Sequence, residues 1–402
     1  MSQGACVDAD PKTWLAKAKA SLVVRPYRPS VVYDVGADGK AVAVAIGVVP
    51  EDSLAVLSYP HTERFRGGDA GFQQMRGRSF VYDDALAVLW WTSVGDLDTA
   101  RRVLQTLAAL QRPDGAWGFG FAAEGDGFYN ASYVRTGAVA WVVYAIAKYQ
   151  FEAKDLRFAG PLAKACTWLL GQRDAKGLVR GGYGHWVGPD QFDPTFRATW
   201  MATEHQIDAW FALHAAADAD PRLEKRLGLR LVALELSRAI EKHLWLGDEA
   251  RYAQAALPEG TDRHSALDAA GTWSALYAIA LGKPTRARQA LDWVAQHHAI
   301  VIAGWRGLRP YLDQAPETWF VEGAVAETLA QWRLGNLDAA RAGLQVFADL
   351  ACEGGVPLVY SPVWQEDFPL SPAVAPTVWF LFAGAEIVDG ADRFLWQERP
   401  PL

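Results

Sequence analysis

The chain is short of the residues that mark metal sites, disulfide scaffolds and membrane spans. Only three of its 402 residues are cysteine: Cys6, Cys166 and Cys352. They are odd in number and scattered, and match neither a metal-ligand pattern nor a disulfide framework. Cys166 falls in an apolar helical pattern, where a thiol reads most simply as a small core residue. The best apolar run, Ala138 to Ala147, is too short to cross a membrane. Positive charge is not in excess either: 39 Lys and Arg against 46 Asp and Glu give a net −7. That balance leaves no electrostatic footprint for nucleic acid. No charged-then-apolar leader opens the chain. The compartment stays open between cytoplasmic and, if a leader has been removed, periplasmic or secreted. No cofactor and no metal are expected, and the chain is expected to be a monomer.

Tryptophan, by contrast, is abundant. Eighteen are present, about three times ordinary usage. Each is a large apolar plate with one polar handle. They suit helix–helix cores, and they suit stacking on flat ligands, sugar rings first among these.

Residues 1–78 differ from the rest. A short amphipathic helix is predicted over 11–22, then short strands within Ser30–Val35 and Ala41–Val49, then a basic loop. From residue 79 the pattern becomes repetitive. An apolar helix, a short break, an amphipathic helix and a long loop recur. The predicted pairs are 83–93 with 97–111, 135–149 with 161–172, 204–217 with 221–244, 268–281 with 284–297, and 317–334 with 337–351. A last apolar helix covers 376–387. A helix apolar all round is buried on most sides, and its amphipathic partner lies outside. This predicts an all-α fold: an (α/α)6 toroid of inner and outer helices with a small N-terminal β segment. Residues 79–402 form the barrel, and the 11–22 helix closes the sixth hairpin.

The long loops (112–134, 173–203, 245–267, 298–316 and 352–375) all fall before inner helices. In a toroid they share one end, the mouth, and loops on a rigid scaffold are where function usually sits. The densest inner-helix start is Thr203-Glu204-His205-Gln206-Ile207-Asp208. Thr203 and Gln206 have the spacing of a capping box, and Glu204 and Asp208 share one helical face. Other starts bring Asp83, Asp84, Asp268, Glu317, Trp319 and Glu322. Loops bring Trp117, His185, Trp186, Trp305, Arg306, Arg309 and Trp364. Helix capping alone accounts equally well for Asp83, Asp84, Asp268 and Glu317. Glu322 and Asp208 lie deeper among apolar neighbours, where a carboxylate needs a partner or a cavity.

Two resemblances rest on particular strings. Gln111-Arg112-Pro113-Asp114-Gly115-Ala116-Trp117-Gly118, with a degenerate copy at Gln172–Gly177, resembles the glutamine–tryptophan motif of triterpene cyclases. It implies an outer helix tied to the following loop. The cyclases' Asp-x-Asp-Asp signature is absent. Phe80–Ala87, Thr203–Ala209 and Thr318–Gly323 resemble bacterial six-hairpin glycosidase-like proteins, over about residues 79–388. That resemblance implies a central cavity lined by Asp83, Glu204, Asp208 and Glu322.

Acids interleaved with aromatics suit a carbohydrate cleft. The expectation is a glycoside hydrolase, endo-acting and inverting, on a bacterial polysaccharide or oligosaccharide. Glu204 and Glu322 are the catalytic pair, with Asp83 third. Substrate contacts are expected from Asp84, Trp117, His185, Trp186, His205, Asp208 and Asp268. Trp305, Arg306, Arg309, Glu317, Trp319 and Trp364 are expected to add to them. A polysaccharide lyase or uronate epimerase would instead use a Tyr or His base with an Arg, from Tyr133, Tyr183, His185, His205, Arg306 and Arg309. A non-catalytic carbohydrate-binding protein of an exopolysaccharide system is the third reading.

Overall fold

The computed structural model describes residues 11–36, 40–60, 75–124, 127–188, 191–313, 317–351, 355–361 and 371–397. It is predominantly helical, with small scattered sheets. Six helical elements pack against one another in chain order, and the last returns to the first. They are Val81–Ser93, Thr136–Ala153, Thr203–Ala219, Leu267–Ala270 with Trp273–Ala280, Val321–Arg333 and Val374–Ile387. These are the inner helices, first to sixth. Their sequences leave no polar face; every residue from Thr136 to Gln150 is buried. Burying one large apolar side chain stabilises the fold by about 1.5–3 kcal/mol, so such helices are held by the neighbours that surround them.

Each inner helix has an outer partner. These are Leu97–Leu110, Ala159–Gly171, Leu229–His243, Pro284–His297 and Leu337–Leu350 in turn, with Pro11–Ala20 against the sixth. Gly95, Gly282 and Gly335 turn the chain between partners at positive φ, a conformation that side chains with a Cβ resist. Two helices are broken where one continuous helix was predicted. The fourth inner helix stops at Gly271, where a Cβ would meet the Ala290 carbonyl. The third outer helix is interrupted at Gly228, also at positive φ.

The predicted capping box is not what starts the third inner helix. Ala202 occupies the cap position with no side-chain bond. Thr203 Oγ1 donates to Ala253 O, and the Gln206 amide bridges Val179 N, Val179 O and Ala202 O. Both side chains tie the helix to neighbouring loops. Helix five begins at Val321, later than predicted, so Glu322 lies in its first turn.

The mouth is braced by short β-pairings. The residues entering five inner helices pair with the loop that enters the next. Arg78–Phe80 meets Gly120–Ala122, Val134–Arg135 meets Gly182–Gly188, and Met201–Ala202 meets Ala255–Leu257. Ala266 bridges Tyr311, and Trp319–Phe320 meets Val359–Tyr360. At the sixth helix Val374 N donates to Ser58 O, so the N-terminal segment joins the circuit.

Candidate active site

The inner-helix starts converge on one layer of acids. Val81–Ser93 brings Tyr82 and Asp83, Thr203–Ala219 brings Glu204, His205 and Asp208, Leu267–Ala270 brings Asp268, and Val321–Arg333 brings Glu322. Burial raises all five carboxyls, and neighbouring acids raise Asp208, Asp268 and Glu322 further. Glu322 feels Asp268, Asp83 and Glu204, and Asp208 feels Glu204, Asp268 and Glu322. Both stand well above the ordinary range, first through desolvation. Burial holds Asp83 up to about 7; burial and Glu204 hold Asp268 up to about 7. Glu204 is raised by burial, although its side chain is 39% exposed. Such a layer is neutral in part at neutral pH, as acid chemistry requires.

The individual acids are held differently. Tyr82 Oη donates to Glu322 Oε1 at 2.5 Å and accepts from Trp379 Nε1 at 3.0 Å. Glu322 Oε2 is therefore the oxygen left for a proton or ligand. Asp268 Oδ1 accepts from Thr272 Oγ1 at 3.0 Å. Asp83 accepts from the Ser58 hydroxyl and from the Ala375 backbone, which ties the first inner helix to the sixth and to the N-terminal segment. Asp208 Oδ1 has no hydrogen-bond partner, nor has His205 Nδ1. Burial, with Arg135 nearby, pushes His205 down to about 3, so it is a neutral imidazole. Its Nε2 lies 3.9 Å from Glu204 Oε1. Among the described residues no group of three or more His, Cys, Asp or Glu is arranged to hold a metal ion.

Beneath the acids lies an aromatic floor. Trp141, Trp273 and Trp379 come from the second, fourth and sixth inner helices. Their ring centroids are 5.7–6.1 Å apart, and the Tyr82 ring lies 5.2 Å from Trp141 and 6.3 Å from Trp273. The indole nitrogens of Trp141 and Trp273 are buried without partners. None of these four residues was singled out from the sequence. The available signal was a Trp five residues into an apolar inner helix, at Trp141 and Trp379.

Three expected substrate contacts take other roles. Asp84 is buried and accepts from Ser79 Oγ and Val56 N, pinning the N-terminal strand. Trp117 is fully buried, and its indole donates to Leu107 O. No ring face is left for a sugar, because the turn after Gln111 folds Trp117 back under its own outer helix. Gln111 Nε2 reaches Gly115 O and Pro161 O, the tie that its motif implies. Trp319 is buried beside Phe347 and Tyr360. Further out, His185 and Trp186 lie on an exposed hairpin, Gly182–Gly188 with Gln191–Ala198. Trp305 and Arg306 lie on a second hairpin, Ala299–Ile302 with Trp305–Leu308, where Arg306 is 3.8 Å from Glu327. Arg309 Nη2 is 3.9 Å from the exposed Glu317. Trp364 lies outside the described residues.

Two glycines set how closely the acids pack. A Cβ at Gly137 would lie 2.8 Å from Asp208 Oδ2 and 2.6 Å from His205 Cδ2, and one at Gly323 would lie 2.9 Å from Asp268 Oδ1. Gly137→Ala is expected to displace Asp208 and His205 and to reduce turnover about tenfold or more. Overpacking is expected to cost about 1–3 kcal/mol of stability. Turnover equal to wild type in a folded Gly137→Ala protein would show that neither displaced group matters.

The raised acids also fix how stability varies with pH. Asp83, Asp84 and Asp268 titrate near 3.8 unfolded but are held by burial at about 7, 8 and 7 in the fold. Between those values the folded chain binds more protons, so their contribution is complete below the unfolded value and is lost as pH rises through 7–8. His205 and His298 are pushed down by burial and act in the opposite sense, but only below their ordinary value of 6.5. Where the histidines no longer oppose it, the melting temperature is therefore expected to fall between pH 6.5 and about pH 8. A flat or rising calorimetric profile would contradict it.

No family model matches the sequence, and no curated protein does. In structure the chain is similar to a D-mannose isomerase, with TM-score 0.62 and 11% identity over 96% of this chain and 99% of that one. It is similar to a glycosidase variant in complex with glucose, at TM-score 0.59 and 13% identity over 94% and 96%. A rhamnosidase from Klebsiella oxytoca with rhamnose bound gives TM-score 0.52 and 14% identity over 79% and 59%. At these identities the likeness speaks to the fold alone.

Proposed function

We propose that the chain is an (α/α)6 six-hairpin toroid, closed by the Pro11–Ala20 helix, that acts as a glycoside hydrolase on a bacterial polysaccharide. The observation that carries this reading is the layer of carboxyls, raised by burial, over an aromatic floor where the inner helices begin. Its structural neighbours include a glycosidase and a rhamnosidase, which supports it. Glu322, buried and held through Oε1, protonates the leaving oxygen from Oε2. Glu204, open to the mouth, removes a proton from the attacking water. Acids on separate inner helices suit the gap of about 6.5–9.5 Å used by inverting enzymes. Asp208 and Asp268 bond sugar hydroxyls, and the two exposed hairpins carry the outer part of a polymer, with endo cleavage as the result.

A second reading is aldose isomerisation or epimerisation. The neutral His205 with an unpartnered nitrogen beside Glu204 favours it, as does the likeness to a D-mannose isomerase. One experiment separates the readings: proton NMR of the purified protein with a panel of polysaccharides and simple aldoses in deuterated water. The expected result is new reducing ends whose first-formed anomer is inverted. Deuterium entering the substrate without cleavage would replace this reading by the second, and an unsaturated product absorbing in the ultraviolet would indicate a lyase. Glycan binding without any turnover would leave a carbohydrate-binding protein.

A further inference from the structure

The last described segment of the chain returns into the ring from the end opposite the acids. Trp396 is buried and held at a φ of 50°, a conformation rare for a bulky residue and kept only where the surroundings enforce it. Its ring stacks on Phe211 at 4.7 Å and on Trp141 at 5.3 Å, and meets Trp273 and Trp379 edge-on at 5.4 and 5.3 Å. Those four residues come from the third, second, fourth and sixth inner helices. The fifth joins through Arg333, which donates to Leu395 O and Trp396 O. The Tyr144 hydroxyl accepts from Trp396 N and donates to Phe394 O. One residue of the tail thus touches or is held by five of the six inner helices.

Two of its neighbours lead directly to the acids. Trp379 donates to Tyr82 Oη, which donates to Glu322. Trp141 meets the ring of the same Tyr82 edge-on at 5.2 Å. We infer that Trp396 is a positioning residue: the tail plugs the ring and, through Trp141 and Trp379, fixes where Tyr82 and Glu322 stand. The inference rests on the acid layer being catalytic. An indole fits there because all four contacts are ring contacts, stacked on two sides and edge-on at two.

The test uses Trp396→Ala and Trp396→Phe in the full chain, on the glycan that the wild type cleaves. Trp396→Ala opens a void lined by aromatics, the kind of apolar cavity that takes up a flat guest. Its kcat is expected to fall about tenfold to a hundredfold with KM little changed, and added indole is expected to restore kcat with dose. Trp396→Phe, which keeps a ring, is expected to retain more of kcat than Trp396→Ala. A kcat per folded molecule equal to wild type, or indole binding by calorimetry without recovery, overturns the inference. If Trp396→Ala does not fold, Trp396→Phe decides alone: a lower kcat at the same KM supports positioning, and an unchanged kcat overturns it.

A second measurement needs no turnover. In a double-mutant cycle of Trp396→Phe with Glu322→Gln, read by denaturant unfolding, coupled residues give non-additive stability changes, whereas additivity overturns the inference. A wild type that cleaves no glycan sinks the hydrolase reading and leaves this coupling to be judged separately.

Discussion

Replacing Glu322 by Gln is expected to lower kcat/KM by about 10²–10⁴-fold, the usual share of a general acid or base, while raising the melting temperature. The two effects have one cause. Glu322 is almost wholly buried, and Asp268, Asp83 and Glu204 all oppose its ionisation. A neutral amide of the same shape keeps an acceptor for the Tyr82 hydroxyl and cannot ionise, so the thermal gain is expected on the alkaline side, where the wild-type carboxyl loses its proton against those neighbours. Groups packed for chemistry at the expense of the fold show this trade-off between stability and activity. An increase of about 1–2 °C is reasonable for so long a chain. Glu204→Gln is expected to lose activity similarly, with a smaller thermal gain, because its side chain is 39% exposed. The combination discriminates between roles: a structural acid would lose stability on amidation and leave turnover alone. Should Glu322→Gln be destabilised and fully active, Glu322 is a scaffold residue and the catalytic pair must be sought elsewhere.

Much of the ring was legible because its signal is periodic. Helices such as Thr136–Ala153 are apolar on every face, and outer ones such as Leu97–Leu110 are buried on one. That contrast survives errors of a few residues at the ends. The place of Glu204 in the first turn of its helix, with Asp208 a turn deeper, followed from the same pattern, whereas Glu322 lies a turn nearer its helix start than expected. The floor was not legible, because a Trp in an apolar helix looks the same whether it faces a core or a cavity. Trp117 was misplaced for the converse reason: a loop tryptophan beside glycines suggests an exposed plate, yet a tight turn folds it under its own helix. The braces between loops use pairings of one to three residues, too short to alternate visibly. Trp396 was invisible because nothing local marks a tail that turns back into a ring.

Arg333 holds that tail, and its removal is expected to have the largest effect on stability. Its guanidinium and the Glu386 carboxylate form a two-pronged pair, with side chains 1% and 4% exposed. The same guanidinium donates to the carbonyls of Leu395 and Trp396. Arg333→Met would leave Glu386 buried without its cation and two carbonyls without donors. Breaking a buried pair from one side costs about 3–5 kcal/mol, because the stranded charge keeps its desolvation penalty. A surface pair would cost about 0–1 kcal/mol, so the measurement separates the cases cleanly. Adding Glu386→Leu to Arg333→Met removes the stranded charge and is expected to recover part of the loss. Recovery is expected to stay incomplete, because the carbonyls of Leu395 and Trp396 still lack donors and each buried orphan costs about 1–3 kcal/mol. Full recovery in the double variant would mean that the pair stabilises only itself. A persistent deficit, read by urea unfolding, is the part of Arg333's contribution that belongs to the tail.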